Sequence, residues 1–287
     1  MKKGVFDMKK DFKVFKTDEG RRKILSYYSK LLGSVDFAYQ ERYVDTRFGK
    51  TYILEAGDSE KPAVVLIHGS CSSSAMWFRD IPVLAEQYHV YSLDIVGDAG
   101  NSEENRLDQS TDEFADWLKD VFDGLSIEKA IIMGNSLGGW ITLQFAARFP
   151  ERVNKLVLIA PGGIGPTKLS FVFRTIPYLM SGEKGRNAIS RMIFGKDDVP
   201  EEVLYFTNMI WENFNPLTGS LPQLTDAQLK KLTMPILYIA GENDAVIDTG
   251  KSIKKLYKMV PRAKIQVIEN HGHVVLDTLK WVIPFLK

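Results

Sequence analysis

The chain has 287 residues, 45% of them hydrophobic and 25% charged, the make-up of a globular protein of one domain or one domain carrying an insertion. Its 37 basic and 36 acidic residues leave a net charge of +1, so no global field draws it to nucleic acid or anionic lipid. One cysteine, Cys71, excludes an internal disulfide and a cysteine-rich metal site, and no metal or cofactor is expected.

The chain opens on a basic stretch (Lys2, Lys3, Lys9, Lys10, Lys13, Lys16) interrupted by Asp7, Asp11, Asp18 and Glu19, the pattern of a solvated, partly frayed segment. No long apolar run follows the first Met, which argues against a signal peptide or membrane span and for a cytoplasmic location. Residues 18–33 carry a helical pattern and complete an N-terminal extension, 1–37. Ala38 to Thr46 and Thr51 to Leu54 alternate polar and apolar residues around Arg47-Phe48-Gly49-Lys50, predicting an antiparallel hairpin at a sheet edge.

Short apolar runs follow: Ala63 to Ile67, Val90 to Leu93, Ala130 to Met133, Leu156 to Ile159, Ile236 to Ile239 and Ile265 to Ile268. Most are continuously apolar, as in parallel strands covered on both faces. Amphipathic segments lie between them: Met76 to Gln87, Thr111 to Leu125, Trp140 to Phe149 and Thr249 to Val260. Alternating strand and helix predict an α/β protein with a mostly parallel sheet. From Pro161 to about Gln223 the strand rhythm fails, and the chain is rich in Phe, Met, Tyr and Trp. We read a core at 38–161 and 224–287, and a mobile helical cap at 162–223, too long for a plain crossover.

The chemistry centres on Gly134-Asn135-Ser136-Leu137-Gly138, between an apolar run and a helical segment. A serine between two glycines at a strand-to-helix turn reads as a nucleophile elbow. The helix N-terminus behind it turns free N–H groups toward the reacting oxygen. A serine hydroxyl needs a base, and the chain has four histidines. His89 starts a strand and reads as a surface residue. His68 ends a strand in His68-Gly69. His271 and His273 frame Gly272 just after the last strand. The base needs a carboxylate at the same end of the sheet. Gly241-Glu242-Asn243-Asp244 follows a strand directly, whereas Asp248 begins the next helix and reads as its N-cap. Ser136, Asp244 and His273 then fall in one crevice, in the chain order Ser, Asp, His.

Over residues 38–285 the chain resembles the α/β-hydrolase superfamily. The resemblance rests on His68-Gly69, the loop Asp94 to Ser102, Gly134 to Gly138, Gly241 to Asp244 and Gly272-His273. Within the superfamily it is similar to the capped carboxylesterases of bacilli, and it shares Gly134-Asn135-Ser136 with hydrolases of carbon–carbon bonds in ring-cleavage products. The loop after Asp94 has one residue more between Gly97 and Gly100 than the usual pattern. The resemblance implies an eight-stranded, mostly parallel sheet with helices on both faces and a cap. It implies Ser136 as nucleophile, His273 rather than His271 as base, and Asp244 as its orienting acid. It also implies an oxyanion hole from the backbone N–H groups of Ser70 and Leu137.

Trp77, Trp140 and Trp211 are candidates to line an apolar pocket, and Cys71 reads as a pocket-lining or buried small residue. No cation adjoins the elbow, and the cap arginines Arg174, Arg186 and Arg191 read as solvent-facing, which favours neutral esters. The expected partner is a small-molecule ester, acting on a monomer or homodimer. Rival readings are a carbon–carbon bond hydrolase with the same triad and a triad-bearing ligand receptor. Dehalogenase and epoxide-hydrolase chemistry is disfavoured, because those enzymes place a carboxylate where Ser136 stands.

Overall fold

The structure is a computed structural model that describes residues 13–179, 181–195, 200–217 and 219–287. Most of the basic N-terminal stretch lies outside the described residues. Among the described residues eight strands form one sheet: β1 (Gln40–Thr46), β2 (Gly49–Ala56), β3 (Ala63–Ile67), β4 (His89–Leu93), β5 (Ala130–Asn135), β6 (Val153–Ile159), β7 (Ile236–Gly241) and β8 (Lys264–Ile268). Their spatial order is β1-β2-β4-β3-β5-β6-β7-β8. The β1–β2 and β2–β4 pairs are antiparallel and the other pairs are parallel.

The helices are α1 (Asp18–Leu32), α2 (Ile81–Ala85), α3 (Glu113–Gly124), α4 (Leu137–Arg148), α5 (Leu169–Leu179), α6 (Gly182–Phe194), α7 (Glu201–Asn213), α8 (Asp226–Lys230), α9 (Thr249–Met259) and α10 (Leu279–Leu286). The continuous apolar runs have a simple cause. Along β3, Val65 and Ile67 join a core layer with α3, α4 and α9, while Val64 and Leu66 join the opposite layer with α1 and α10. Both faces of the strand are therefore buried, and each buried Val, Leu or Ile contributes about 1.5–3 kcal/mol.

Three local expectations need correction. The hairpin loop is only Arg47-Phe48, with Thr46 paired to Gly49. Thr46 Oγ1 closes the loop by donating to Gly49 O and accepting Phe48 N–H, and Gly49 takes φ +112°. Met76 to Gln87 is not one helix but a 3-10 turn over Ser74–Trp77 followed by the short α2, which starts beside Pro82. A proline is tolerated in a first helical turn, whereas inside a helix it removes a hydrogen bond and kinks or breaks it. Finally, α4 is not amphipathic: it is buried almost all round, between the sheet and α3.

Helices α5, α6 and α7 lie between β6 and β7 in the chain. This insertion is fastened to the rest of the molecule along three seams. Thr167 bridges to Ile247 and Lys168 N–H donates to Val246 O at 2.7 Å. Gly195 bridges to His271, and His273 N–H donates to Ile193 O at 2.8 Å. Phe15 bridges to Phe214, flanked by Lys16 N–H to Asn213 O at 2.8 Å and Asn215 N–H to Val14 O at 2.9 Å. Among the described residues no helix is long and apolar enough to cross a membrane.

Candidate active site

Strand β5 ends at Asn135 and α4 begins at Leu137, leaving Ser136 alone at the turn with φ +48° and ψ −105°. That conformation costs a residue with a side chain on the order of 1–3 kcal/mol, and it persists where the surroundings enforce it. They do so here. A Cβ on Gly134 would lie 2.5 Å from Gly138 O, and one on Gly138 would lie 2.3 Å from Ile67 O. Ser136 N–H donates to Ile159 O at 2.9 Å, and Ser136 O accepts Trp140 N–H and Gly162 N–H at 3.0 and 3.1 Å. The two glycines let strand and helix close on the serine, and these bonds hold it.

His273 follows β8 and is buried. Its Nε2 lies 2.9 Å from Ser136 Oγ and its Nδ1 lies 2.8 Å from Asp244 Oδ2. A carboxylate only accepts, so Nδ1–H donates to Asp244, and the Nε2 lone pair is left to accept the Ser136 hydroxyl. Asp244 follows β7 and is fully buried. Its Oδ1 accepts Val246 N–H at 2.7 Å and Ile247 N–H at 2.9 Å. Burial pushes its carboxyl pKa up, but His273 and these N–H donors outweigh that and hold it below the ordinary value. The acid therefore stays ionised beside the imidazole.

The other candidates sit elsewhere. His271 Nδ1 rests on Glu269 O at 2.9 Å. Asp248 accepts Lys251 N–H at 2.9 Å and caps α9. Glu242 accepts Asn270 N–H at 3.3 Å. His89 is not at the surface as expected: it is buried, with Nε2 on Glu55 at 2.7 Å and Nδ1 accepting Tyr91 O–H at 3.0 Å. His68 holds the turn after β3, its Nδ1–H donating to Gly69 O at 2.7 Å and its Nε2 accepting Ile95 N–H at 2.9 Å. The turn runs close to the elbow, since a Cβ on Gly69 would lie 3.5 Å from Ser136 Cβ, and Leu137 N–H, in the first turn of α4, has no acceptor within the helix. The Asp94 loop closes on its own carboxylate, which accepts Ser74 N–H and Asn101 N–H at 2.7 Å each.

The pocket candidates fare differently from the triad. Trp77 and Trp140 are fully buried, in opposite core layers. Trp140 Nε1–H donates to Pro222 O at 2.9 Å, bracing the end of the insertion. Large aromatics bury the most area, so the core competes for them. Trp211 is half-buried on α7, and its carbonyl accepts Lys16 Nζ–H at 2.9 Å. Cys71 takes φ +58° and packs with Ala99, Ile210 and Phe214. Burial, then Asp98, pushes its thiol up to about 12, so it holds no thiolate at neutral pH.

Leu137 lines a narrow cleft with Ile95, Leu107, Phe114 and Leu217, and with two charged residues, Asp98 and Arg106. Arg174 and Arg191 are exposed on the insertion, but Arg186 is not solvent-facing as expected: it is half-buried, with Nη2 at 3.7 Å from Glu212 Oε1. Arg106, a residue outside the cap, lines the same cleft as Leu137. Arg106 follows Glu103-Glu104-Asn105, a run that reads as solvated surface. The folding of that loop brings Arg106 to the cleft lined by Leu137 and to Asn215 O, which accepts its Nη2–H.

Strand order, elbow and the linked serine, imidazole and carboxylate together define a hydrolase architecture. The profile of the α/β hydrolase fold matches residues 62–193. Carboxylesterase YbfK of Bacillus subtilis is 32% identical over 243 residues, spanning 81% of this chain and 81% of that protein. The crystal structure of carboxylesterase CesB (YbfK) has 29% identity and a TM-score of 0.82, covering 93% of this chain and 98% of the other. That of naproxen esterase (carboxylesterase NP), also from B. subtilis, has 29% identity and a TM-score of 0.82, covering 94% and 99%. This chain belongs to the α/β-hydrolase family.

Proposed function

We propose that the protein is a serine hydrolase that cleaves carboxylic esters of small or medium, largely apolar substrates through an acyl-enzyme. The observation that carries this reading is the 2.9 Å contact between Ser136 Oγ and His273 Nε2, continued at 2.8 Å to Asp244. Ser136 Oγ bonds to the ester carbonyl carbon while its proton passes to His273 Nε2. The carbonyl oxygen becomes an oxyanion and accepts N–H bonds from Leu137 and Ser70, each worth about 3 kcal/mol to the transition state. Collapse expels the alcohol, which takes the proton back from His273. Water then attacks the acyl carbon, loses its proton to the same nitrogen, and releases the acid and free Ser136. Asp244 fixes the tautomer and stabilises the imidazolium at each passage.

Residues 162–223 form the cap in this reading, closing over Ser136 and shaping the substrate site. Support comes from Ile193 O, which accepts the N–H of His273 itself at 2.8 Å. The carboxylesterase relatives favour the ester over a carbon–carbon bond. The protein would act on a small molecule in the cytoplasm, as a monomer or homodimer. The test is labelling with a fluorophosphonate probe, followed by p-nitrophenyl esters of increasing chain length. Labelling and turnover should both vanish in Ser136→Ala, by several orders of magnitude in kcat. A variant that still hydrolyses these esters at near wild-type rate defeats the proposal.

A further inference from the structure

Helices that cover the sheet turn their apolar residues inward. In α3, Phe114, Trp117, Leu118, Val121 and Phe122 are all buried. Helix α5 does the reverse. Leu169, Val172, Phe173 and Ile176 follow the i, i+3, i+4, i+7 spacing that puts side chains on one helix face, and they are 72%, 41%, 69% and 52% exposed. Phe171 and Thr175, which turn away from this stripe, are half-buried, and no described residue of α5 is buried. The stripe holds four of the ten large hydrophobic side chains exposed among the described residues, so it is a patch rather than scattered single residues.

Charge is uneven around it. The whole chain carries only +1, yet α5 and α6, which pack together, expose Arg174, Lys184 and Arg191 against one described acid, Glu183. An outward apolar face beside a local excess of Arg and Lys suits a helix lying in the surface of a bilayer with anionic headgroups. A second copy seated on the stripe would bring like charges together around the contact. The stripe also begins at the site. Lys168, just before α5, donates from its N–H to Val246 O at 2.7 Å and from Nζ to Asp244 O at 2.5 Å. One end of α5 is thus fastened to the loop that carries the triad's acid.

We propose that α5 docks the protein on an anionic phospholipid surface, with Leu169, Val172, Phe173 and Ile176 among the acyl chains and Arg174, Lys184 and Arg191 at the headgroups, so that the enzyme draws esters from the lipid layer. The choice of substrate rests on the ester reading above; the docking does not.

The experiment floats the full-length protein with vesicles of phosphatidylcholine, alone or with about 30% phosphatidylglycerol. The wild type should partition onto the anionic vesicles about 10- to 100-fold more strongly than onto the neutral ones, at about fivefold per basic residue. Leu169→Ser, Phe173→Ser and Ile176→Ser combined should weaken anionic-vesicle partitioning about tenfold or more and keep the melting temperature, since all three side chains are exposed. Arg174→Gln, Lys184→Gln and Arg191→Gln combined should bring the two vesicle types within about threefold of each other, and this variant decides alone if the serine variant loses its fold. Cleavage of p-nitrophenyl palmitate carried in anionic vesicles, divided by that of soluble p-nitrophenyl acetate, should fall about tenfold in the serine variant.

Binding to anionic vesicles that survives the serine variant overturns the proposal, because another surface, such as the basic N-terminal stretch, then holds the lipid. A wild type that stays off both vesicle types also overturns it, as does a dimer in sedimentation velocity that the serine variant dissolves, which gives the face to a second copy. Lost flotation with an unchanged activity ratio overturns the delivery of substrate and supports the docking. If Ser136 takes no fluorophosphonate and neither ester is cleaved, the ester reading fails, and flotation still decides the docking.

Discussion

Two aspartates four residues apart show how little a side chain's identity says about its role. Asp244 spends one oxygen on His273 and the other on Val246 N–H and Ile247 N–H. Asp248 caps α9 through Lys251 N–H. Asp244→Asn should therefore cost about 10²–10⁴ in kcat, by losing the tautomer that points the Nε2 lone pair at Ser136. Asp248→Asn should cost at most about 1 kcal/mol of stability and little activity. Steady-state kinetics and a thermal melt on both variants check this, and a dead Asp248→Asn beside a live Asp244→Asn would exchange the roles. Asp80 offers a pH signature. Burial, then the nearby Asp277, raises its carboxyl to about 6 against the pull of Arg79. An Asp that is raised in the folded state binds its proton more tightly there than in the unfolded chain. Folding is then favoured at low pH, and the penalty of ionising Asp80 grows as pH rises from about 4 to 6. Asp80→Asn should stabilise the protein by about 1–3 kcal/mol at pH 7–8 and not at pH 4. Equal effects at both pH values in denaturant titrations would refute the assignment.

Among the elements, the end of α6 matters most for the site. Its last turn and Gly195 lie against the loop that carries His273, through Ile193 O and the Gly195–His271 bridge. Gly272 makes that approach possible, since a Cβ there would lie 2.6 Å from Ile193 O and 2.8 Å from Gly195 N. Gly272→Ala should push α6 and the histidine loop apart and lower kcat about 10- to 100-fold, because small misplacements of a base are expensive. Labelling of Ser136 should slow in parallel. An unchanged kcat would mean that α6 does not hold His273 in place. The helix–strand alternation, the insertion and the elbow were all legible as elements, because apolar period and glycine spacing are local signals. The docking of α6 on the histidine loop was not, since two main-chain segments 80 residues apart meet there without any sequence mark.

For the whole molecule, 37 basic against 36 acidic residues give no field to steer a neutral substrate. Hydrolysis of a neutral p-nitrophenyl ester should change less than about twofold in kcat/KM between 50 and 500 mM salt. A steep salt dependence would reveal a charged recognition step even for neutral esters. The eight-stranded sheet accounts for where the chemistry sits. Ser70, Ser136, Asp244 and His273 follow β3, β5, β7 and β8, all at the carboxyl ends of parallel strands, where such sheets open a crevice.

The sequence alone determined the class of fold, the elbow and the triad residues as candidates, because each depends on short-range pattern: buried strands, small residues at a strained turn, and polar residues directly after strands. What the tertiary structure decided was the contact that joins His273 to Ser136, the burial of Trp77 and Trp140 in the core, and the cleft that Arg106 shares with Leu137. Those outcomes depend on which distant segments pack together. A side chain's burial and its partners are properties of that packing, and no local spacing encodes them.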